Sequence, residues 1–129
     1  MESLSQAIGC EDLLAAAREE IERLTPVETS AAVGRGAILV DIRPSEQRRR
    51  DGEVPGAHVI GRNVLEWRLD PRGEHRDPAV AREDRQVILI CDEGYQSSLA
   101  ADTVRRLGVD AADVIGGVQQ WWAEGLALL

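Results

Sequence analysis

Cys91 stands directly after the apolar run Val87-Ile88-Leu89-Ile90 and just before Asp92-Glu93-Gly94-Tyr95-Gln96-Ser97-Ser98. Ligand sites in open α/β sheets lie at the carboxyl ends of strands, so a thiol placed here is a candidate nucleophile. Gly94 permits backbone conformations closed to other residues, and Ser97 or Ser98 suits a helix cap. A loop curled around the sulfur can aim several backbone N–H groups at it. Those donors, with a helix N-terminus, favour the reactive thiolate. The competing reading is a buried, inert cysteine, because free Cys often behaves as a small core residue.

Asp92 and Glu93 oppose a thiolate if they face it. A unit charge ~6 Å away costs ~0.7 kcal/mol in water and nearer ~3 kcal/mol at an effective dielectric of 20. Pointing outward, the same carboxylates would instead select a cationic partner.

The elements that position this loop follow from hydrophobic patterning. Ala37-Ile38-Leu39-Val40 and Val87–Ile90 are short aliphatic runs without alternation, the pattern of parallel strands covered on both faces. Weaker strands are expected at His58–Ile60 and Asp113–Ile115. Cys10, Leu13, Leu14, Ala17, Ile21 and Leu24 recur at helical spacing, with a short extended piece expected before Pro26. Thr25-Pro26-Val27-Glu28 reads as a capped helix start, and Gly34 and Gly36 as its stop. Further helices are expected over Asn63–Leu69, Ser97–Leu107 and Val118–Glu124, and a charged loop over Asp70–Arg85. Strands alternating with helices imply an α/β domain with a central, mostly parallel sheet and helices on both faces.

The whole chain bounds the function. Its 129 residues make one domain, with 43% hydrophobic and 29% charged residues. Fifteen Lys+Arg against 23 Asp+Glu give a net charge of -8, which disfavours nucleic acid as a partner. Every cationic side chain is Arg, which removes Schiff-base chemistry on lysine. No apolar run is long enough to span a membrane, and the first residues do not resemble a secretory signal. Cys10 and Cys91 are too few for a disulfide framework, and no CxxC or HxxxH spacing suggests zinc. No metal or cofactor is therefore expected, and free thiols fit a reducing cytoplasm.

Four segments resemble, in order, the elements of a single-domain rhodanese, a sulfurtransferase module. Leu39-Val40-Asp41-Ile42-Arg43 resembles the family's strand ending in Asp-x-Arg. Gly52-Glu53-Val54-Pro55-Gly56-Ala57 resembles its Gly-His-Ile-Pro-Gly-Ala turn, with Glu53 in place of His. Val87–Ser98 resembles the cysteine strand, loop and helix. Gly116-Gly117-Val118-Gln119-Gln120-Trp121 resembles the closing Gly-Gly-x-x-x-Trp. The resemblance implies residues 25–129 as a rhodanese-like domain, with residues 1–24 as an N-terminal helical extension.

The resemblance also implies a chemistry. Cys91 would take sulfane sulfur from a thiosulfate-like or persulfide donor and pass it, as a persulfide, to a thiol or protein acceptor. Asp92, Glu93, Gly94, Tyr95, Gln96 and Ser97 would form the substrate-binding loop, and Asp41 and Arg43 its structural support. Basic residues common in thiosulfate-using loops are replaced here by Asp92, Glu93 and Gln96. A non-enzymatic or sulfur-relay interaction domain, docking a basic partner protein, is the alternative. The fold also hosts Cys-x5-Arg phosphatases, but the position six after Cys91 is Ser97, and an acidic loop repels phosphoesters.

Outside this loop the residues read as structural. Cys10 is expected in the core, His58 packed or at the surface, and His75 solvated. One of Trp121 and Trp122 is expected to be exposed, and Arg48-Arg49-Arg50 to form a solvated turn.

Overall fold

The computed structural model describes residues 6–129. Helix α1 (Cys10–Glu19) is followed by strand β1 (Glu22–Leu24), α2 (Pro26–Gly34), β2 (Ile38–Asp41), α3 (Ser45–Asp51) and β3 (His58–Val59). A 3-10 turn at Arg62–Val64 leads into α4 (Leu65–Leu69). Then come β4 (Val87–Ile90), α5 (Gln96–Arg105), β5 (Ala111–Val114) and α6 (Gly117–Ala123). The strands form one sheet in the order β1-β5-β4-β2-β3, and every pairing is parallel. No helix among the described residues is long and apolar enough to cross a membrane.

The uninterrupted apolar strands are explained by two cores. Val87 and Leu89 of β4 face a cluster that includes Leu65, Leu69, Ala100 and Val104. Ile88 and Ile90 face the other, with Ala32, Val114, Val118 and Trp121. Alternate residues of one strand thus serve α4 and α5 on one side and α2 and α6 on the other. Burying such a side chain on either face contributes about 1.5–3 kcal/mol.

Local signals set several boundaries. Thr25 accepts from Glu28 N–H and Glu28 accepts from Thr25 N–H, completing the expected capping box with Pro26 at the first helical position. The bond from the Thr25 backbone holds the Glu28 carboxyl below its ordinary range. Trp121 is buried and closes its indole N–H on the Ala127 carbonyl at 3.0 Å, while Trp122 is 64% exposed. The 70–85 segment is turn and loop, as its Pro and Gly content requires.

Three expectations are corrected. Cys10 is exposed, not core. Helix α1 buries Ala17, while its first turn stands off α5 and opens a cavity of about 840 Å3 lined by Cys10, Leu14, Tyr95, Gln96 and Leu99. Apolar spacing marks a helix face but does not say how far the neighbouring helix extends. Arg48–Arg50 form the last turn of α3 rather than a turn between elements, and cations suit a helix C-terminus. Ser97 and Ser98 lie inside α5, whose N-cap is Tyr95 without a side-chain cap bond. Their hydroxyls are committed elsewhere.

Candidate active site

Strand β4 delivers Cys91 to the carboxyl end of the sheet, where it is buried at 5% exposure. The chain then folds back over the sulfur. Gly94 N–H donates to Cys91 Sγ at 3.1 Å and Ser97 N–H at 3.3 Å. The Sγ–H group lies 3.2 Å from Ser97 Oγ, which accepts from it. Two backbone donors converging on one sulfur stabilise negative charge there.

Gly94 makes this geometry possible. Its φ is +88°, and a Cβ at that position would sit 2.8 Å from Gly116 N and 3.2 Å from Val114 O. The cysteine loop therefore rests directly on the backbone that joins β5 to α6. Gly117 completes the contact from the other side: a Cβ there would strike the carbonyl oxygens of Cys91 and Asp92. Without it, Val118 N–H and Gln119 N–H donate to those same carbonyls at 2.9 and 3.1 Å. The Gly-Gly pair of the closing motif is thus a close-approach requirement.

Behind the sulfur lies a polar network that sequence reasoning did not find. Asp113, fully buried in β5, accepts from Ser97 Oγ and Ser98 Oγ, each at 2.8 Å. Arg23 of β1, paired with Asp113 in the strand register, donates to both its carboxylate oxygens at 2.8 and 3.2 Å. Asp113 was expected only as part of a strand. A carboxylate inside an otherwise apolar strand was the available signal, since a buried charge requires partners.

The predicted loop residues separate by orientation. Asp92 turns away from the sulfur: its Oδ1 accepts from Arg50 at 3.0 Å and from Gln119 Nε2 at 2.9 Å. Arg50 also grips Asp51 and holds that carboxyl below its ordinary range. Glu93, Tyr95 and Gln96 are exposed, and Gln96 accepts from Arg62 at 3.2 Å. Cys91, Asp92, Glu93, Tyr95 and Gln96 line a cavity of about 320 Å3 together with Ile42, Arg43, Pro44 and Gln47. That volume suits a small molecule.

Asp41 and Arg43, expected only as structural support, pair with each other. Their side chains are fully buried and joined at 2.7 Å, and Arg43 also donates to Gly52 O at 2.9 Å. The pair ties the end of β2 to the turn after α3. His58 and His75 are exposed.

The model of the Rhodanese-like domain matches residues 25–124. The chain belongs to the rhodanese-like domain family. It is 26% identical over 107 residues to the adenylyltransferase and sulfurtransferase UBA4 of Yarrowia lipolytica, covering 79% of this chain. This rhodanese-like chain spans about a quarter of that curated relative's length (24%). Among solved structures, a protein of unknown function from Rhodopseudomonas palustris, described as a possible tyrosine phosphatase, superposes with a TM-score of 0.87. The two are 28% identical, and the match covers 100% of both chains. The polysulfide-sulfur transferase of Wolinella succinogenes shares the fold, with a TM-score of 0.71 at 21% identity. It covers 92% of this chain and 85% of that one. At family level a rhodanese domain is a sulfurtransferase-type module.

Proposed function

We propose that the protein transfers sulfane sulfur through a persulfide on Cys91. The observation that carries this reading is the convergence of Gly94 N–H and Ser97 N–H on Sγ beside an open cavity. The thiolate attacks the outer sulfur of the donor. A bond from Sγ to that sulfur forms, the donor's own bond to it breaks, and the leaving group departs with the electron pair. For thiosulfate the leaving group is sulfite. A thiolate or cyanide then attacks the outer sulfur of the persulfide, and Cys91 returns as thiolate. The backbone from Asp92 to Ser97 holds the charged intermediate, while the Asp41–Arg43 pair fixes the end of β2 beside the cavity.

A phosphatase reading is disfavoured by two observations. Ser97 occupies the position where a phosphate-gripping Arg would stand, and its hydroxyl is committed to Asp113. Glu93, exposed beside the cavity, repels a dianion. The exposed Glu93 favours a cationic protein as sulfur acceptor, which would place the chain in a sulfur relay rather than in free turnover of thiosulfate.

The test is intact mass after exposure of the reduced protein to thiosulfate, and separately to 3-mercaptopyruvate, followed by peptide mapping. One added sulfur on Cys91, removed by cyanide or a thiol and absent in Cys91→Ser, is the expected result. An adduct that survives in Cys91→Ser would remove Cys91 as nucleophile. No adduct from either donor or from a persulfidated protein would leave the docking-domain reading in front.

A further inference from the structure

The cysteine loop is held from behind by two arginines that precede the residues matched by the family model. Arg18, on α1, donates from Nη2 to Gly94 O at 2.8 Å and from Nε to Ser98 Oγ at 3.0 Å. Its guanidinium also stands 5.7 Å from the Tyr95 ring centre, a cation–π distance. Arg23, on β1, donates to the same Gly94 carbonyl at 3.1 Å while bound to Asp113. Ser98 Oγ lies 3.1 Å from that carbonyl as well.

Gly94 is the most conformationally free residue of the loop, yet it supplies an N–H that faces the sulfur. A carbonyl gripped by two guanidiniums removes that freedom. It also sets two positive charges behind the peptides that surround Sγ. Surface arginines do not do this by accident of length: one of the two is locked by a fully buried carboxylate, and its side chain is only 19% exposed.

We propose that Arg18 and Arg23 are positioning residues for the Cys91 nucleophile, acting through the Gly94 carbonyl to fix the N–H that faces the sulfur. The inference rests on reading Cys91 as the sulfur carrier. It makes the segment before Thr25 part of the reacting site rather than an appendage. Neither arginine touches the donor; each acts through the loop.

The test uses the full chain with Arg18→Ala, Arg18→Met and Arg18→Lys, and Arg35→Ala as a control for the same change in net charge. Arg35 follows α2 and contacts neither the loop nor the cavity beside Cys91. Two quantities are measured. One is the pH midpoint of Cys91 alkylation by iodoacetamide, resolved by peptide mapping so that exposed Cys10 does not contribute. The other is kcat and KM for sulfur transfer to cyanide. Arg18→Ala and Arg18→Met are expected to raise the midpoint by about one pH unit, the scale of one nearby cation at a partly solvated site. They should lower kcat about tenfold with KM little changed, as expected when loop geometry rather than donor binding is lost. Arg18→Lys should recover part of the midpoint, and Arg35→Ala should match the parent.

Arg18→Met keeps the aliphatic stem and guards against a variant that fails to fold. A parent-like midpoint and kcat in Arg18→Met would overturn the inference. If the parent moves no sulfur but the midpoint still shifts, the positioning role stands and the sulfur-transfer reading falls.

Discussion

Replacing Gly94 with alanine places a methyl group where the structure has no room for it. The residue sits at φ +88°, a left-handed conformation that costs an L-residue roughly 1–2 kcal/mol. The new Cβ would lie 2.8 Å from Gly116 N, 3.2 Å from Val114 O and 3.3 Å from Gly116 Cα. All three are backbone atoms, so no side-chain rotation relieves the contact, and overpacking of this kind adds about 1–3 kcal/mol. A central expectation is about 3 kcal/mol. With an unfolding entropy of about 2.1 cal/mol/K per residue over 129 residues, that loss lowers Tm by about 10 °C. The cheapest relief is for the loop to lift off the β5–α6 junction, which withdraws Gly94 N–H from Sγ. Scanning calorimetry reads the first effect, and the rate of Cys91 alkylation at pH 7, expected to fall severalfold, reads the second. Gly34→Ala is the control. A Cβ there meets nothing within 4 Å, and alanine is the better helix former by about 1 kcal/mol, so its Tm should hold or rise. A Gly94→Ala protein melting within about 2 °C of the parent would refute the close approach of loop and junction.

Asp113→Ala leaves Arg23, Ser97 and Ser98 without their shared acceptor. It is expected to cost about 3–5 kcal/mol in urea unfolding, and a loss under about 1 kcal/mol would show that the network does not hold the fold. The capping box predicts a pH dependence. Glu28 has a lowered pKa in the folded protein, so its contribution is present above the unfolded carboxyl value of about 4.3 and is lost as pH falls through the folded value. The Tm gap between the parent and Glu28→Ala should therefore be open at pH 7 and close below about pH 4. A gap of constant size would assign the effect to helix propensity alone. Thr25→Ala removes the other half of the box and should cost about 1 kcal/mol at neutral pH.

The site was legible where chemistry is local in the chain. Cys91, the glycine that turns its loop and the serine six positions on are neighbours in sequence, so a strand, a loop and a helix are enough to bring them together. Asp41 and Arg43 are two residues apart at the end of one strand and meet for the same reason. Arg18, Arg23, Arg50 and Gln119 bond to the loop across 76, 71, 42 and 27 positions of sequence, separations that no periodicity connects; only the sheet order β1-β5-β4 and the packing of α1, α3 and α6 around the loop bring them near.

Composition and patterning alone determined that this is an α/β domain with a doubly covered parallel sheet, because apolar runs and helical spacing record which faces are buried. They also determined where a nucleophile could stand, because a cysteine between a strand and a helix occupies a strand's carboxyl end in any such fold. They did not determine which way Asp92 points, nor that Cys10 would be exposed. Those outcomes depend on distances between elements far apart in the chain. Asp92 turns outward because Arg50 and Gln119 arrive beside it, and Cys10 is exposed because the first turn of α1 borders an open cavity between it and the start of α5. Side-chain direction at a surface is settled by the partners that tertiary structure supplies, and only the assembled fold places them.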